Sequence, residues 1–277
     1  MPGHEKKRQL QDKLQGWLLL VLAALVGCST GEAPNPPPSG ESEALLRVAA
    51  AADLRFALPD VIAAFREAQP GLRVEPTFAS SGQLVAQIEN GAAVDVFLSA
   101  DEDYAARLVE KGLAEKADYF RYARGHLVLW VPNNSDVDLQ GELGEVLRHV
   151  KRLAIANPRT APYGRAAQAV LNNLGLADAY RDHLLLGDNV TQAFQFAAQG
   201  GAEAAIVGKA LILGSSIAGA GRWREIPSEL YPPIIQAGVI LKRCEVRAAA
   251  LAWRDFLLSE AGQAMLRRHG FTSPQAP

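Results

Sequence analysis

The residues in this sequence that could do chemistry lie at turns where a short strand is followed by a helix. Four such turns combine small residues with a hydroxyl, amide or carboxyl group: 52–54 (ADL), 80–82 (SSG), 162–164 (PYG) and 189–191 (NVT). The first N–H groups of a helix have no acceptor inside the helix and carry the positive end of its dipole. With hydroxyls, they bind anions without a full positive charge. Because ligands of doubly wound sheets lie where strands give way to helices, the pattern indicates an anion-binding site.

Catalysis is the weaker interpretation of the same residues. Ser80 or Ser81 could serve as the nucleophile of a hydrolase, but neither lies in a G-x-S-x-G elbow, and no motif places an acid–base partner beside them. The five histidines are scattered, and two cysteines cannot build a thiolate zinc site. We therefore expect a binding protein that is not an enzyme and needs no cofactor. A serine hydrolase is the remote alternative.

Composition narrows the class of protein further. Of 277 residues, 49% are hydrophobic and 21% are charged, which is typical of a globular chain and excludes a fibrous or wholly disordered one. The net charge of −2 lacks the excess of Lys and Arg that a nucleic-acid-binding surface needs. We expect no nucleic-acid partner, and a monomer.

The beginning of the chain has the features of an export signal followed by a tether. Residues 1–27 place basic side chains before an apolar run over 17–26, which is too short to span a membrane. Residues 25–28 (LVGC) resemble the lipobox of bacterial lipoproteins, so Cys28 would carry a lipid; an ordinary secretory signal is the alternative. Residues 28–44, rich in Pro, Gly and Ser, favour an extended tether. We expect a lipid-anchored protein at a bacterial membrane, in the periplasm or at the cell surface.

From residue 45 onward, apolar runs of strand length alternate with helical periodicity. Leu58, Val61 and Phe65, for example, recur on one helical face. Strands separated by helices imply parallel sheets covered on both faces. The longest apolar strands are predicted at residues 126–131 and 234–241.

These two long strands suggest a division of the chain into two lobes. If both cross between lobes, lobe I contains residues 45–125 plus 237–273 and lobe II contains residues 126–236. The predicted fold class is α/β, with two doubly wound lobes joined by two crossover strands and a ligand cleft between them.

Five segments, in order, resemble the extracytoplasmic molybdate-binding proteins of ABC importers, which have the type II periplasmic binding protein fold. The segments are 48–54 (VAAAADL), 77–83 (TFASSGQ), 90–101 (NGAAVDVFLSAD), 157–164 (NPRTAPYG) and 187–192 (GDNVTQ). The resemblance implies two α/β lobes with one tetrahedral oxyanion, molybdate or tungstate, in the cleft. It also implies the permease of an ABC importer as partner. Molybdenum would then be bound only as its oxyanion, with no residue ligating a metal ion.

The resemblance also implies which residues contact the oxyanion. Ser81 aligns with an anion-binding serine that offers a hydroxyl and a backbone N–H. Tyr163 aligns with a binding position in the second lobe, and Val190 aligns with a position that binds through its backbone N–H. Ala52 and Asp53 align with the pair in the first lobe.

Two positions depart from the pattern of the family. Where relatives commonly place a hydroxyl or amide side chain, this chain has Asp53, whose carboxylate would repel a dianion. We expect Asp53 to turn away and offer only its backbone N–H. Gly208 stands where one branch of the family has a tyrosine.

The ligand has alternatives within the same architecture. Sulfate, phosphate or a small organic acid could occupy such a cleft. An organic acid usually recruits the paired N–H groups of an arginine for its carboxylate, and Arg55, Arg159 and Arg165 lie close to the turns in sequence. We expect hinged closure of the lobes on the ligand.

Overall fold

The computed structural model describes residues 44–214 and 218–275. The predicted export signal, Cys28 and the tether up to residue 43 lie outside these residues, and Ala44 is already the first residue of a strand. Within the described ranges, no helix combines the length and the apolar character needed to cross a bilayer.

Strands and helices alternate along the described chain. The strands are β1 (Ala44–Ala51), β2 (Leu72–Ala79), β3 (Val96–Ser99), β4 (Ala114–Gly125), β5 (Leu127–Pro132), β6 (Leu153–Ala156), β7 (Leu184–Gly187), β8 (Ala204–Gly208), β9 (Gly221–Glu225) and β10 (Ile234–Leu241). The helices are α1 (Ala57–Ala68), α2 (Ser81–Glu89), α3 (Glu102–Glu110), α4 (Leu143–Arg148), α5 (Pro162–Asn173), α6 (Val190–Ala198), α7 (Lys209–Gly214), α8 (Arg247–Leu258) and α9 (Glu260–Arg268). A short 3₁₀ turn, Ala52–Leu54, follows β1 directly.

Helix α1 illustrates how apolar spacing positions an element. Its buried side chains include Leu58, Val61 and Phe65, which form the predicted stripe. Phe65 meets Trp253 of α8 edge to face, with ring centroids 5.1 Å apart, an arrangement that aromatic rings favour. The helix ends at Ala68, before Pro70, because proline lacks the N–H that would continue the hydrogen-bond ladder.

The first sheet has the strand order β2-β1-β3-β10-β4 and is covered on both faces. Strand β1 pairs in parallel with β2 and β3, whereas β10 runs antiparallel to β3 and β4. Side chains alternate between two apolar clusters along its strands: Val96 and Leu98 of β3 belong to one and Phe97 to the other. This arrangement confirms the doubly wound architecture.

The second sheet has the order β7-β6-β8-β5-β9. Strand β6 is parallel to β7 and β8, and β5 is antiparallel to β8 and β9. The expectation of parallel sheets is therefore wrong for the two long strands, β5 and β10, which correspond to the predicted crossing strands. Each long strand enters its sheet from the other lobe and hence in the opposite direction.

The two connections between the lobes lie side by side. The chain leaves the first sheet at Gly125 and joins the second at Leu127. The backbone N–H of Leu127 donates to the Tyr231 hydroxyl on the returning connection, at 3.1 Å. The whole of β10, from Ile234, pairs within the first sheet. The predicted lobe boundaries at residues 125/126 and 236/237 stay a prediction.

The start of α5 is pressed against β6, and this contact generates a test of the fold. A Cβ atom on Gly164 would lie 2.2 Å from the Ala156 carbonyl oxygen. We expect Gly164→Ala to lower the free energy of unfolding by about 1–3 kcal/mol, because the backbone must shift to admit the methyl group. The measurement is urea denaturation.

Gly144 in α4 provides the matched control. The nearest atoms to a Cβ at Gly144 are 3.9 Å away, so the same substitution there meets only ordinary contacts. We expect Gly144→Ala to be neutral or to stabilise by up to about 1 kcal/mol, the helix propensity difference. Equal losses in the two variants would contradict the tight contact at α5.

Candidate functional site

The first lobe contributes the turn that follows β1. Ala52 and Asp53 are both buried, at 4% and 1% exposure. The Ala52 carbonyl oxygen accepts a hydrogen bond from the Thr191 hydroxyl at 3.0 Å. Thr191 belongs to the first turn of α6 in the second sheet's lobe. This bond therefore joins the first and fourth predicted turns across the two lobes.

The first lobe also contributes the start of α2 to the predicted site. Ser81 is fully buried, and its hydroxyl oxygen accepts a hydrogen bond from the Ala100 N–H at 3.0 Å. The neighbouring Ser80 hydroxyl is buried and has no hydrogen-bond partner among the described residues. The Gly82 N–H donates to the Thr160 carbonyl oxygen at 2.9 Å, which joins the second and third turns. A Cβ at Gly82 would lie 2.8 Å from that oxygen, so the approach requires glycine.

The second lobe contributes the starts of α5 and α6. Pro162 occupies the first helical position of α5, where its missing N–H costs nothing. The Asn189 side chain caps α6 by accepting from the N–H groups of Thr191 and Gln192, at 3.0 and 3.1 Å. Tyr163 and Val190 follow these starts and are buried, at 2% and 3% exposure.

Three backbone N–H groups at these helix starts have no acceptor. Those of Ser81, Tyr163 and Val190 form no hydrogen bond with any residue in the described part of the chain. A buried N–H without a partner is rare because it costs free energy comparable to a lost hydrogen bond. Each lobe thus has backbone N–H groups that are free to bind a ligand. All five residues predicted to form the site lie at buried turns, and these turns contact one another.

Gln236 links the two lobes beside these turns. It is fully buried on β10, and its amide nitrogen donates to Oδ2 of Asp53 and to the Tyr163 hydroxyl, the latter at 3.3 Å. Its amide oxygen accepts from the Tyr122 hydroxyl at 2.7 Å. One side chain on a crossing strand therefore holds a residue of each lobe.

Asp53 is a buried acidic residue at the predicted site, and its pKa is shifted. Burial raises its pKa to about 6, while interactions with the Gln236 amide and the Tyr163 hydroxyl act in the opposite direction. Its second oxygen, Oδ1, is buried without a hydrogen-bond partner among the described residues. Burial and the Asp53 carboxylate also raise the pKa of the Tyr163 and Tyr122 phenols well above the ordinary value, so both stay neutral. Asp53 thus faces the tyrosines and Gln236.

Tyr163 fills the space beside Gly208. A Cβ on Gly208 would lie 2.9 Å from the Tyr163 ring. Glycine, rather than the tyrosine found in one branch of the family, is therefore required at position 208, because the ring of Tyr163 leaves no room for a side chain there. Its hydroxyl then reaches the Gln236 amide.

The three arginines near the turns lie outside this buried region. Arg165 reaches across the lobes to form an ion pair with Asp101 and donates to the Tyr104 hydroxyl at 3.1 Å. Arg55 and Arg159 are exposed. A cavity of about 160 Å³, lined by Asp101, Arg165 and residues of both lobes, lies beside the Arg165 ion pair. The buried turns therefore offer neutral donors and no paired arginine.

Sequence reasoning missed Gln236 and the contact made by Thr191. A signal for Gln236 exists, because it is the lone polar residue in an otherwise apolar strand (IIQAGVIL), and a buried polar group needs a partner. No local pattern identifies Asp53 as that partner, which lies 183 residues away. Ser80, which the sequence suggested only as a possible nucleophile, has a buried hydroxyl without a hydrogen-bond partner in the described part of the chain.

Two sheets joined by two connections, with free N–H donors at helix starts of both lobes, are features expected of a protein that binds a small solute. The family model of bacterial extracellular solute-binding proteins matches residues 46–272, and the chain belongs to that family.

Within this family, the chain is similar to several molybdate-binding proteins. The chain is 36% identical over 239 residues to the molybdate-binding protein ModA of Rhodobacter capsulatus, covering 85% of this chain and 90% of the relative. It is 37% identical over 229 residues to ModA of Azotobacter vinelandii, covering 82% and 89%. The solved periplasmic molybdate-binding protein of Azotobacter vinelandii superposes with a TM-score of 0.76 at 34% identity, covering 83% of this chain and all of the other.

The Gln236 contact gives a test of how the site is held together. We expect Gln236→Leu to lower the free energy of unfolding by about 2–3 kcal/mol at about pH 8, because it leaves the buried Asp53 carboxylate without its amide donor. In an Asp53→Ala background, the cost of Gln236→Leu should shrink by more than about 1 kcal/mol. Urea denaturation of the four proteins measures the coupling.

The control is Gln87→Leu on the exposed face of α2, which should change stability by less than about 0.5 kcal/mol. If Gln236→Leu lowers the free energy of unfolding equally with and without the Asp53 carboxyl, the two side chains are not coupled. The contact would then not contribute to stability.

Proposed function

We propose that this protein binds molybdate, and tungstate by the same contacts, between its two lobes outside the cytoplasm and delivers the anion to the permease of an ABC importer. The observation that carries the proposal is the set of free N–H donors at Ser81, Tyr163 and Val190. Both lobes contribute to this set, and Ser81, Tyr163 and Val190 are all buried. The molybdate-binding relatives support the same ligand.

The donors suit a tetrahedral dianion. Backbone N–H groups at helix starts point their positive ends outward, and hydrogen bonds to a charged group contribute roughly 1.5–3 kcal/mol each. The Ser81 hydroxyl accepts from Ala100, which leaves its own hydrogen free to donate. The Ser80 hydroxyl, buried and unpartnered, is a further donor for the anion. Ala52 and Asp53 complete the site in the first lobe.

Closure would couple binding to delivery. Moving the ratio of open to closed molecules from 1:99 to 99:1 needs about 5.5 kcal/mol in favour of the closed form. Two to four hydrogen bonds from the second lobe, made only after closure, supply that amount. The bonds from Thr191 to Ala52 and from Gly82 to Thr160 cross between the lobes and would break on opening.

The protein would act as a binding protein rather than as an enzyme. The Ser81 hydroxyl is bonded to a backbone N–H, and no histidine or lysine hydrogen-bonds Ser80 or Ser81 in the parts of the chain that the structure describes. An activated serine needs such a base. We propose further that residues 1–27 direct export, that Cys28 carries a lipid, and that the monomer works at the outer face of a bacterial membrane.

Calorimetric titration of the purified protein with molybdate, tungstate, sulfate and phosphate tests the proposal. We expect molybdate and tungstate to bind most tightly and with similar affinity, because the two anions are nearly the same size. Sulfate is smaller and should bind more weakly. Binding of none of the four anions, or tighter binding of a small carboxylic acid in a parallel titration, would contradict the proposed ligand.

Two serine variants test the location of the site in the same titration. Ser81→Ala removes a hydroxyl donor and should weaken molybdate binding by about tenfold to a hundredfold, the equivalent of one hydrogen bond to a charged group. Ser228→Ala, an exposed position, makes the same chemical change and should leave the affinity within about twofold. Equal affinities in the two variants would place the anion elsewhere.

A further inference from the structure

Asp53 places a carboxyl group in the wall of the proposed oxyanion site, and this inference rests on the proposed function. Its oxygen Oδ2 is bound by the Gln236 amide nitrogen, whereas Oδ1 is buried and has no partner among the described residues. The preceding residue, Ala52, contacts Thr191 at the start of α6. The unpartnered oxygen therefore belongs to the turn that meets the start of α6, where Val190 has a free N–H donor.

A charged Asp53 and a bound dianion would repel each other at short range. Two unit charges 4 Å apart interact by about 4 kcal/mol at the effective dielectric constant of a protein surface, and the bound anion carries two. The repulsion is avoided if the carboxyl group binds a proton. Protonation also turns an acceptor-only group into one with an O–H donor.

We propose that Asp53 takes up one proton from solvent when the oxyanion binds, and that its Oδ1–H then donates a hydrogen bond to the anion. The step balances as a carboxylate plus a proton giving a carboxylic acid, with no other bond formed or broken. The protonated acid presents one acceptor to Gln236 and one donor to the ligand. In this form Asp53 contributes its side chain to the site, and not only the backbone N–H that the sequence led us to expect.

The side chains around Asp53 carry no charge that would prevent this change, although the hydrogen-bond donors of Gln236 and Tyr163 and the backbone N–H groups of Asp53 and Leu54 lower its pKa. The Tyr163 phenol from α5 and the Tyr122 phenol from β4 face it, and both stay neutral near pH 7. Gln236 from β10 cannot titrate. Thr191 from α6 is neutral and bonds to Ala52.

Nearby cations are engaged elsewhere. Lys209, at the start of α7, forms an ion pair with Glu225, and Arg55 lies over the Phe78 ring of β2. Burial and neutral hydrogen-bond donors, rather than a basic side chain, are the main influences on the pKa of Asp53. Burial has already raised the pKa of Asp53 to about 6, so the remaining cost of protonation near neutral pH is small.

The sign of the pH dependence follows from linkage. Below the pKa that Asp53 has in the free protein, which is about 6 for the buried arrangement described above, binding takes up no proton and the affinity is greatest and flat. Above that pH each binding event takes up a proton, and the affinity falls by up to about tenfold per pH unit. The fall ends at the higher pKa that Asp53 has in the complex, where the dianion disfavours its charge.

The test is calorimetric titration of the full protein with molybdate between about pH 6 and pH 8, in buffers of different ionisation enthalpy. Molybdate keeps its charge over this range. We expect the wild type to lose affinity by about tenfold or more and to take up close to one proton at the alkaline end. Asp53→Asn, which supplies a fixed N–H donor, should lose this slope and bind molybdate about tenfold or more tightly than the wild type at about pH 8.

Asp178→Asn is the matched control, because Asp178 is exposed and its ion pair is with Arg181 in the turn after α5. It should keep the slope and the proton uptake of the wild type. A wild type that binds molybdate with a flat pH profile and no proton uptake overturns the inference and leaves the proposed function intact. Absence of molybdate binding in every protein at every pH overturns both. Because proton uptake is measured on the wild type, the result does not depend on the folding of Asp53→Asn.

Discussion

An uncharged site can bind a doubly charged anion only if hydrogen-bond donors replace the water around the anion. In the proposed site, the rest of the structure holds such donors in place. A buried N–H or hydroxyl is costly when unpaired, so the donors can be kept free only where the surrounding fold holds them rigidly. Here helix starts provide the donors, and the two sheets fix the helix starts. Ser81 belongs to one lobe and Tyr163 and Val190 to the other. In the proposed site, binding would therefore be coupled to closure of the lobes.

Strand β10 of the first sheet carries the side chain that joins the two lobes. Gln236 contacts Asp53, Tyr163 and Tyr122 with one amide group, so both lobes share a buried polar network. Such a network is stable only when each member is satisfied. Asp53 Oδ1 is the member left over, and a proton together with an oxyanion would satisfy it.

Much of the fold was predictable because its elements are strongly patterned. The stripe of α1 and the apolar strand 234–241 appear as predicted. Strand β4 was missed since its sequence (AEKADYFRYARG) is rich in charged residues along one exposed edge of the sheet. The antiparallel direction of β5 and β10 was missed because direction depends on which lobe a strand comes from. Likewise, the turns could be found locally, whereas the contact between Asp53 and Gln236 joins distant parts of the chain.

Anomalous X-ray scattering near the molybdenum absorption edge, from crystals grown with molybdate, tests the central claim most directly. We expect one strong peak enclosed by the four turns, with oxygen atoms of the anion within about 3 Å of the backbone nitrogens of Ser81, Tyr163 and Val190. A molybdenum peak held by lysine or arginine side chains at the surface, with those three nitrogens left without a ligand, would contradict it.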